Sequence, residues 1–333
     1  MNQGALLLLA ALITPAAAQG PIAILDAHPQ ADSLLEQDLK ELLGEAPPLI
    51  IRLELTGPSD LDDPERARLA LADTKSADSR VLAERVRSAG SVVLEGGSLL
   101  GWYKTLHRAD RPTRLVHALL RHTREGRALI GIGGAGAALA GAGIIVTAEL
   151  DRVPRNPRRT HALGARVALG WGPPALIDAT TWGGDAMRTL RLMERSYMAQ
   201  AAHLGPSSGL VLEPRQRRVR VIGEGSVVFF ETDPGHRNRH DLRGGRVSLL
   251  MRGDVWDLPH RRLIPTPDAL SPPEAAGALP KLLAALSFAP SEELALQSPW
   301  GQLLLRRQQD TRILGAGTFS RPIRAEFDLF LSL

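Results

Sequence analysis

Residues Ala128 to Gly143 read ALIGIGGAGAALAGAG, and this stretch decides the fold. Ala128 to Ile130 is a short apolar run of the kind that forms a buried strand. It meets a glycine cluster at Gly131, Gly133, Gly134 and Gly136, and small apolar residues suited to a tightly packed helix follow. A strand that turns sharply into a helix is where α/β proteins hold a nucleophile or cradle a phosphate. Here the turn carries no reactive side chain.

Working outward, strand and helix signals alternate. Apolar runs at Ile22–Leu25, Leu49–Leu53 and Ser91–Leu94 predict strands before the one at Ala128. Leucines at 34, 35, 39, 42 and 43 have helical spacing, with Asp32 or Ser33 as cap and Gly44 as stop. Ser79–Ala89 predicts an amphipathic helix, and Leu99–Thr123 a longer helical region broken near Pro112. A short helix is expected near Pro64–Ala72, and another over Ala186–Ala202. Ala175–Asp178 reads as a short strand. Gly209–Glu213, Val219–Ile222, Ser226–Glu231 and Val247–Arg252 alternate as strands parted by turns. Leu303–Arg307 and Arg324–Leu331 read as a late pair. The expectation is an α/β fold: a mostly parallel central sheet with helices on both faces, flavodoxin-like, with antiparallel strands in the second half.

The 333 residues are 44% hydrophobic and 23% charged, which suits a globular chain with a sizeable core. The net charge is only +4, and the positive side is nearly all arginine, lysine standing only at 40, 75, 104 and 281. No basic surface interleaved with aromatics is evident, so no nucleic-acid partner is expected. There is no cysteine, which excludes thiol chemistry and disulfides. No His and carboxylate pair sits at ligand spacing on one predicted element, so no metal site is expected.

Ala5–Ile13 is an apolar segment followed by Pro15 and by Ala16-Ala17-Ala18, a small-residue cleavage site before Gln19. Residues 1–18 are therefore read as a signal peptide and the mature chain as periplasmic or secreted; a retained signal segment, the one expected link to a membrane, is the alternative. The organisation expected beyond it is one α/β domain over residues 19–264 and a C-terminal extension over 265–333, starting in the proline-rich stretch Pro265–Pro273.

The order of motifs resembles the cyanophycinase and dipeptidase E-like serine peptidases, whose fold is similar to the class I glutamine amidotransferase domain. Four features carry the resemblance: Gly96-Gly97-Ser98 after a strand; Ile132-Gly133-Gly134-Ala135-Gly136-Ala137 at the place of the family's G-T-S-A-G-A elbow; Ile177-Asp178-Ala179-Thr180 before Arg188 and Arg191, at the place of its Asp-x-His; and Gly253–Asp257 closing a late strand pair. The resemblance spans about Pro21 to Leu263. It aligns the elbow serine with Gly134 and the histidine with Thr180. A serine is a weak nucleophile without a base, and this chain has neither residue.

The resemblance thus implies a member that has lost hydrolysis. It implies a retained pocket for a small acidic peptide or carboxylate at Gly97, Ser98, Gly134, Ala135, Asp178 and Thr180, with no cofactor. Gly97 and Ala135 would supply backbone N–H groups to an oxyanion, and Gly134 would hold the elbow's positive φ. Two readings compete. One is an active peptidase acting on aspartyl or β-aspartyl peptides through another nucleophile. Ser98 is a candidate, though a helix cap is its ordinary role, and His28 is a candidate base. Asp26 and Asp178 end strands and would flank that cleft. The other is a dinucleotide-binding oxidoreductase, since residues 131–136 also satisfy G-x-G-x-x-G. The few residues before the next strand are short for a crossover helix.

Overall fold

The computed structural model describes residues 20–54, 68–109, 111–140, 142–146, 163–166, 169–171, 175–179, 189–190, 193, 198–232, 237–238, 241–257, 260, 262–264, 293–298, 301–307 and 323–330. Residues 1–18, read above as a signal peptide, and Thr180, Arg188 and Arg191 lie outside the described residues.

The chain begins with β1 (Ile22–Leu25), α1 (Leu34–Leu43), β2 (Leu49–Leu53), β3 (Arg68–Leu71), the single turn α2 (Thr74–Ala77) and α3 (Arg80–Ser88). β4 (Val92–Glu95) leads into α4 (Leu99–Leu106), a small ribbon of β5 (His107–Arg108) and β6 (Arg111–Pro112), and α5 (Arg114–Arg124). The opening stretch forms β7 (Leu129–Ile132), α6 (Gly134–Leu139) and β8 (Ala142–Val146). The strands that follow are β9 (Leu163–Arg166), β10 (Leu176–Asp178), β11 (Gln200–Leu204), β12 (Gly209–Glu213), β13 (Arg218–Ile222) and β14 (Val227–Glu231). Then come β15 (Arg237–Asn238), β16 (Asp241–Leu250), β17 (Val255–Asp257), β18 (Arg262–Ile264), β19 (Glu293–Ser298), β20 (Gly301–Arg307) and β21 (Ile323–Phe330).

Two sheets result. The first has nine strands in the order β18-β17-β13-β12-β1-β7-β4-β2-β3. Its half from β1 to β3 is parallel, and from β12 outward it is antiparallel. The second runs β19-β20-β21-β16-β14-β11-β10-β8-β9, with β8, β10 and β11 parallel and the other neighbours antiparallel. The α/β class expected from the sequence is found, and the antiparallel strands both extend the first sheet and build most of the second. The late strands at 303–307 and 324–330 pair as expected, Leu303 opposite Leu329.

Alternation in the parallel strands divides the core. Ile22, Ile24, Ile51, Leu94 and Leu129 face a large cluster with Leu82 of α3, Trp102 of α4, Leu115 and Leu119 of α5 and Leu139 of α6. Ala23, Leu25, Val93, Ile130 and Ile132 face Leu35 and Leu39 of α1 on the opposite side. Helices thus cover both faces of the parallel half. The second sheet joins the larger cluster through Ile177, Ala202, Val227 and Phe229.

Two expected helices end in strands, while residues 189–190 and 193 of the second are helical. Residues 68–71, expected at the end of a helix, form the edge strand β3, where Leu69 and Leu71 alternate inward and are fully buried. Residues 200–202, expected as the end of another helix, begin β11. Their run Gln-Ala-Ala has helical composition, yet β11 lies between β10 and β14, where small side chains fit a strand covered on both faces.

Candidate active-site elbow

β7 lies in the middle of the first sheet, with β1 on one side and β4 on the other. Its carboxyl end is followed by Gly133 at φ 59 and ψ −121, then directly by α6. This is a sharp strand-to-helix turn, the backbone shape in which α/β proteins can hold a nucleophile. The sequence reading put the positive φ at Gly134; the structure puts it one residue earlier. Gly134 already has a helical backbone and begins α6, so the strained residue must be the one before it.

The two glycines differ in what surrounds them. A Cβ on Gly133 would meet nothing nearer than the Asp26 carbonyl oxygen at 3.6 Å and the Ala179 carbonyl oxygen at 4.0 Å. Among the described residues that position has ordinary van der Waals room for a Cβ, and the sequence supplies no side chain there. A Cβ on Gly134 would come within 2.4 Å of the Gly97 carbonyl oxygen, so Gly134 is glycine because the 97–98 backbone passes close by. Gly134 follows the positive-φ residue, the place whose N–H, in an elbow, is aimed at an oxyanion. Both N–H groups lie in the first turn of α6, where no acceptor within the helix is available; the first intrahelical bond runs from Ala137 N to Gly133 O at 3.0 Å.

The neighbouring loop is fixed by packing. Gly96 and Gly97 both have positive φ, 71 and 63. The indole of Trp102, fully buried, donates to the Gly96 carbonyl at 2.8 Å and ties the loop to α4. Ser98 caps α4, its Oγ accepting from Gly101 N at 3.1 Å. This is the ordinary role weighed for Ser98 in the sequence.

Charged groups ring the same strand ends. Asp26 follows β1 and is buried, with Oδ1 lacking a hydrogen-bond partner. Burial pushes its carboxyl up to about 6, against the lowering effect of backbone N–H groups of Ala27 and Ser208. Glu95, buried at the end of β4, accepts from Arg52 Nε at 2.8 Å, and its other oxygen lies 3.0 Å from His28 Nε2. Because β1 and β4 flank β7, the His28–Glu95 contact reaches across the end of the elbow strand. The sequence singled out His28 but not Glu95, which looked like one more residue of a strand.

Asp178 is fully buried at the end of β10. Its Oδ2 accepts from Thr189 Oγ1 at 2.9 Å, and His203 Nδ1 lies 3.3 Å from that hydroxyl. With the threonine proton committed to Asp178, the hydroxyl accepts from His203 Nδ1–H, which fixes the tautomer and leaves Nε2 the basic nitrogen. His203 is level with Asp178 because β10 and β11 pair in parallel. The helix expected over Ala186–Ala202 gave no reason to set His203 level with Asp178. Asp178 and His203 fall on the opposite side of their strands from Ile177 and Ala202, which face the first sheet. The structure therefore gathers Gly97, Ser98, Gly133, Gly134, Ala135 and Asp26 at the elbow. Asp178 stands beside them through its neighbour Ala179, with its carboxylate turned to Thr189.

α6 has six residues, too few for the crossover helix that a dinucleotide fingerprint opens, and β8 after it belongs to the second sheet. Among the described residues no group of three or more His, Asp or Glu is placed to hold a metal ion, and no helix is long and apolar enough to cross a membrane.

A similar solved structure is the crystal structure of a peptidase from an acI-B1 Actinobacterium, with a TM-score of 0.43 and 13% sequence identity over 64% of this chain and 91% of that one. No protein-family model and no curated protein matches the sequence.

Proposed function

We propose that this chain is an exported, cyanophycinase-like protein that binds a small peptide or carboxylate at the β7–α6 elbow without hydrolysing it. The observation that carries the reading is Gly133. It has the backbone of a nucleophile, at φ 59 and ψ −121, and room for a side chain that the sequence does not supply. Without a nucleophile the acyl-transfer route is closed, and what stays useful is binding to the backbone around the turn. The backbone N–H groups at Gly97 and Gly134 belong to the main chain and survive any side-chain loss.

The test is direct. Purified protein is titrated with succinate and with aspartyl and β-aspartyl peptides by calorimetry, and the same peptides are followed for cleavage. The reading expects binding without turnover. Absence of binding at millimolar ligand counts against it.

A second reading, hydrolysis through another residue, is favoured by one observation: His28 is held by buried Glu95 across the end of β7, as a base would be. It expects peptide cleavage and covalent labelling by a fluorophosphonate that is lost in Ser98→Ala.

A further inference from the structure

The positive charge of the chain is concentrated in one stretch. Residues 78–127 hold ten arginines and lysines against five acidic residues, a net +5 where the whole chain carries +4. The helices of this stretch are α3, α4 and α5. α3 and α5 lie side by side on one face of the first sheet. Leu82 and Val86 share a core with Leu115 and Leu119, and His122 of α5 lies 3.2 Å from the Val86 carbonyl of α3.

α5 separates its side chains sharply. Leu115, Leu119, His122 and Thr123 are buried, while Arg114, His117, Arg121 and Arg124 are exposed. The exposed four stand at i, i+3, i+7 and i+10, one stripe along the helix that runs about 15 Å. Glu125 holds Arg121 and Arg127. Arg87 of α3, Arg111 just before α5, Arg114 and Arg124 make no ion pair among the described residues. The outward face of α3 also carries Val81, 47% exposed, the one exposed large hydrophobic side chain among the described residues. Aromatic rings are withdrawn from this layer: Trp102 is buried, and Tyr103 stacks on His107.

Unpaired cations of one sign repel each other, and an extended anionic surface relieves that repulsion. Two helices side by side present a broad face, which suits a plane of phosphates. Single-stranded nucleic acid is held by exposed aromatic rings, which this layer lacks. An exposed valine among arginines gains nothing from a phosphate backbone, whereas the headgroup boundary of a bilayer accepts both. We propose that the outward face of α3 and α5 is a docking surface for an anionic phospholipid bilayer. Arg87, Arg111, Arg114 and Arg124 meet headgroup phosphates, and Val81 enters the interface. The contact is peripheral and electrostatic, and it is independent of the elbow reading.

Co-sedimentation of the full chain tests this, with vesicles of phosphatidylcholine alone or with about one third phosphatidylglycerol, at about 0.1 M and 0.5 M salt. The mixed vesicles are expected to bind at least about tenfold more tightly at the lower salt and to lose that advantage at the higher. Ala5–Ile13 is uncharged, so partitioning by that segment does not distinguish the two vesicles. An arginine near an anionic surface is worth about fivefold in affinity, so Arg114→Glu and Arg124→Glu are each expected to weaken binding by at least that factor. Lys40→Glu is the matched reversal on α1, which covers the opposite face of the sheet, and it is expected to change binding less than about twofold. Equal binding to the two vesicles, or an advantage that survives high salt, overturns the proposal. So does an equal loss in Lys40→Glu. Tighter binding to duplex DNA than to the mixed vesicles, per phosphate, also overturns it and gives the face to nucleic acid. The wild-type comparison needs no variant, so a misfolded Arg114→Glu or Arg124→Glu does not shield the proposal.

Discussion

The α-carbon of Gly134 lies so close to Gly97 that a Cβ there would approach the Gly97 carbonyl oxygen to 2.4 Å, whereas a Cβ on its neighbour Gly133 would meet, among the described residues, only ordinary contacts at 3.6 and 4.0 Å. The two glycines therefore respond differently to substitution. Gly133→Ser adds a side chain at φ 59 and ψ −121, a strained conformation outside the left-handed helical region, at a cost of about 1–3 kcal/mol. Gly134→Ser must push two stretches of backbone apart and is expected to cost more, about 3 kcal/mol or above. Urea unfolding of both variants checks the order. The reverse order would return the elbow to Gly134.

Asp26 makes stability depend on pH. Its folded-state carboxyl is raised from 3.8 to about 6, so the folded protein holds a proton that the unfolded chain releases. Stability from this group is highest below pH 3.8 and declines as pH rises through about 6. About two pK units correspond to roughly 3 kcal/mol, an upper bound for the penalty of ionised Asp26 at neutral pH. Asp26→Asn is expected to be more stable than wild type at pH 7 and to lose that advantage by about pH 4. Chemical unfolding across this range reads the effect, and a variant less stable at pH 7 would contradict it.

His122 acts in the opposite sense. It is fully buried on α5, with Nδ1 3.2 Å from the Val86 carbonyl and Nε2 3.0 Å from the Ala128 carbonyl. Desolvation lowers its pKa from 6.5 and outweighs the two carbonyls, which favour the charged ring. A lowered folded-state pKa means that the unfolded chain binds the proton first. The histidine's contribution is complete above pH 6.5 and lost progressively below it. His122→Ala is expected to cost about 2–4 kcal/mol at pH 8 through a cavity and the loss of the one carbonyl hydrogen bond that the neutral ring's single N–H can make. The deficit should shrink as the pH is lowered. Parallel unfolding curves at pH 8 and pH 5 measure this.

Asp38 and Arg252 join α1 to the antiparallel half. Arg252 Nε and Nη2 reach the Asp38 carboxylate, Nη2 at 2.6 Å, and Gly223 N donates to it at 2.9 Å. Asp38 is buried, while Arg252 keeps 36% of its side chain exposed, so screening weakens the pair. Arg252→Ala is expected to cost about 1–3 kcal/mol, mostly by leaving the buried carboxylate with one donor. Asp38→Asn/Arg252→Ala should recover part of that loss. A double-mutant cycle with no coupling would show that the contact contributes nothing.

Much of the parallel half was legible in the sequence because β1, β2, β4 and β7 are short apolar runs closed by a turn signal. The helix break at Pro112 was equally legible: α4 ends at Leu106, and α5 starts after Thr113. β11 was not, because Gln200-Ala201-Ala202 has no local feature that distinguishes a buried strand from a helix. Its place between β10 and β14 decides the matter. His203 went with it, and the link to Thr189 and Asp178 became visible only when β10 and β11 were paired. Glu95 was hidden for a similar reason, since Arg52 and His28 come from other strand ends.

For the stretch from Ala128 to Gly143, the sequence by itself determined that a strand turns into a short helix through glycines and that no side chain there can attack a carbonyl. Residue type alone settles both points. Which glycine is the elbow depended on tertiary structure. Gly133 and Gly134 are chemically identical, and they separate only because one has ordinary contact room beside the Asp26 carbonyl and the other is pressed against the backbone of Gly97. Register did the rest: it set a buried, unpaired carboxyl oxygen one strand away from the empty position.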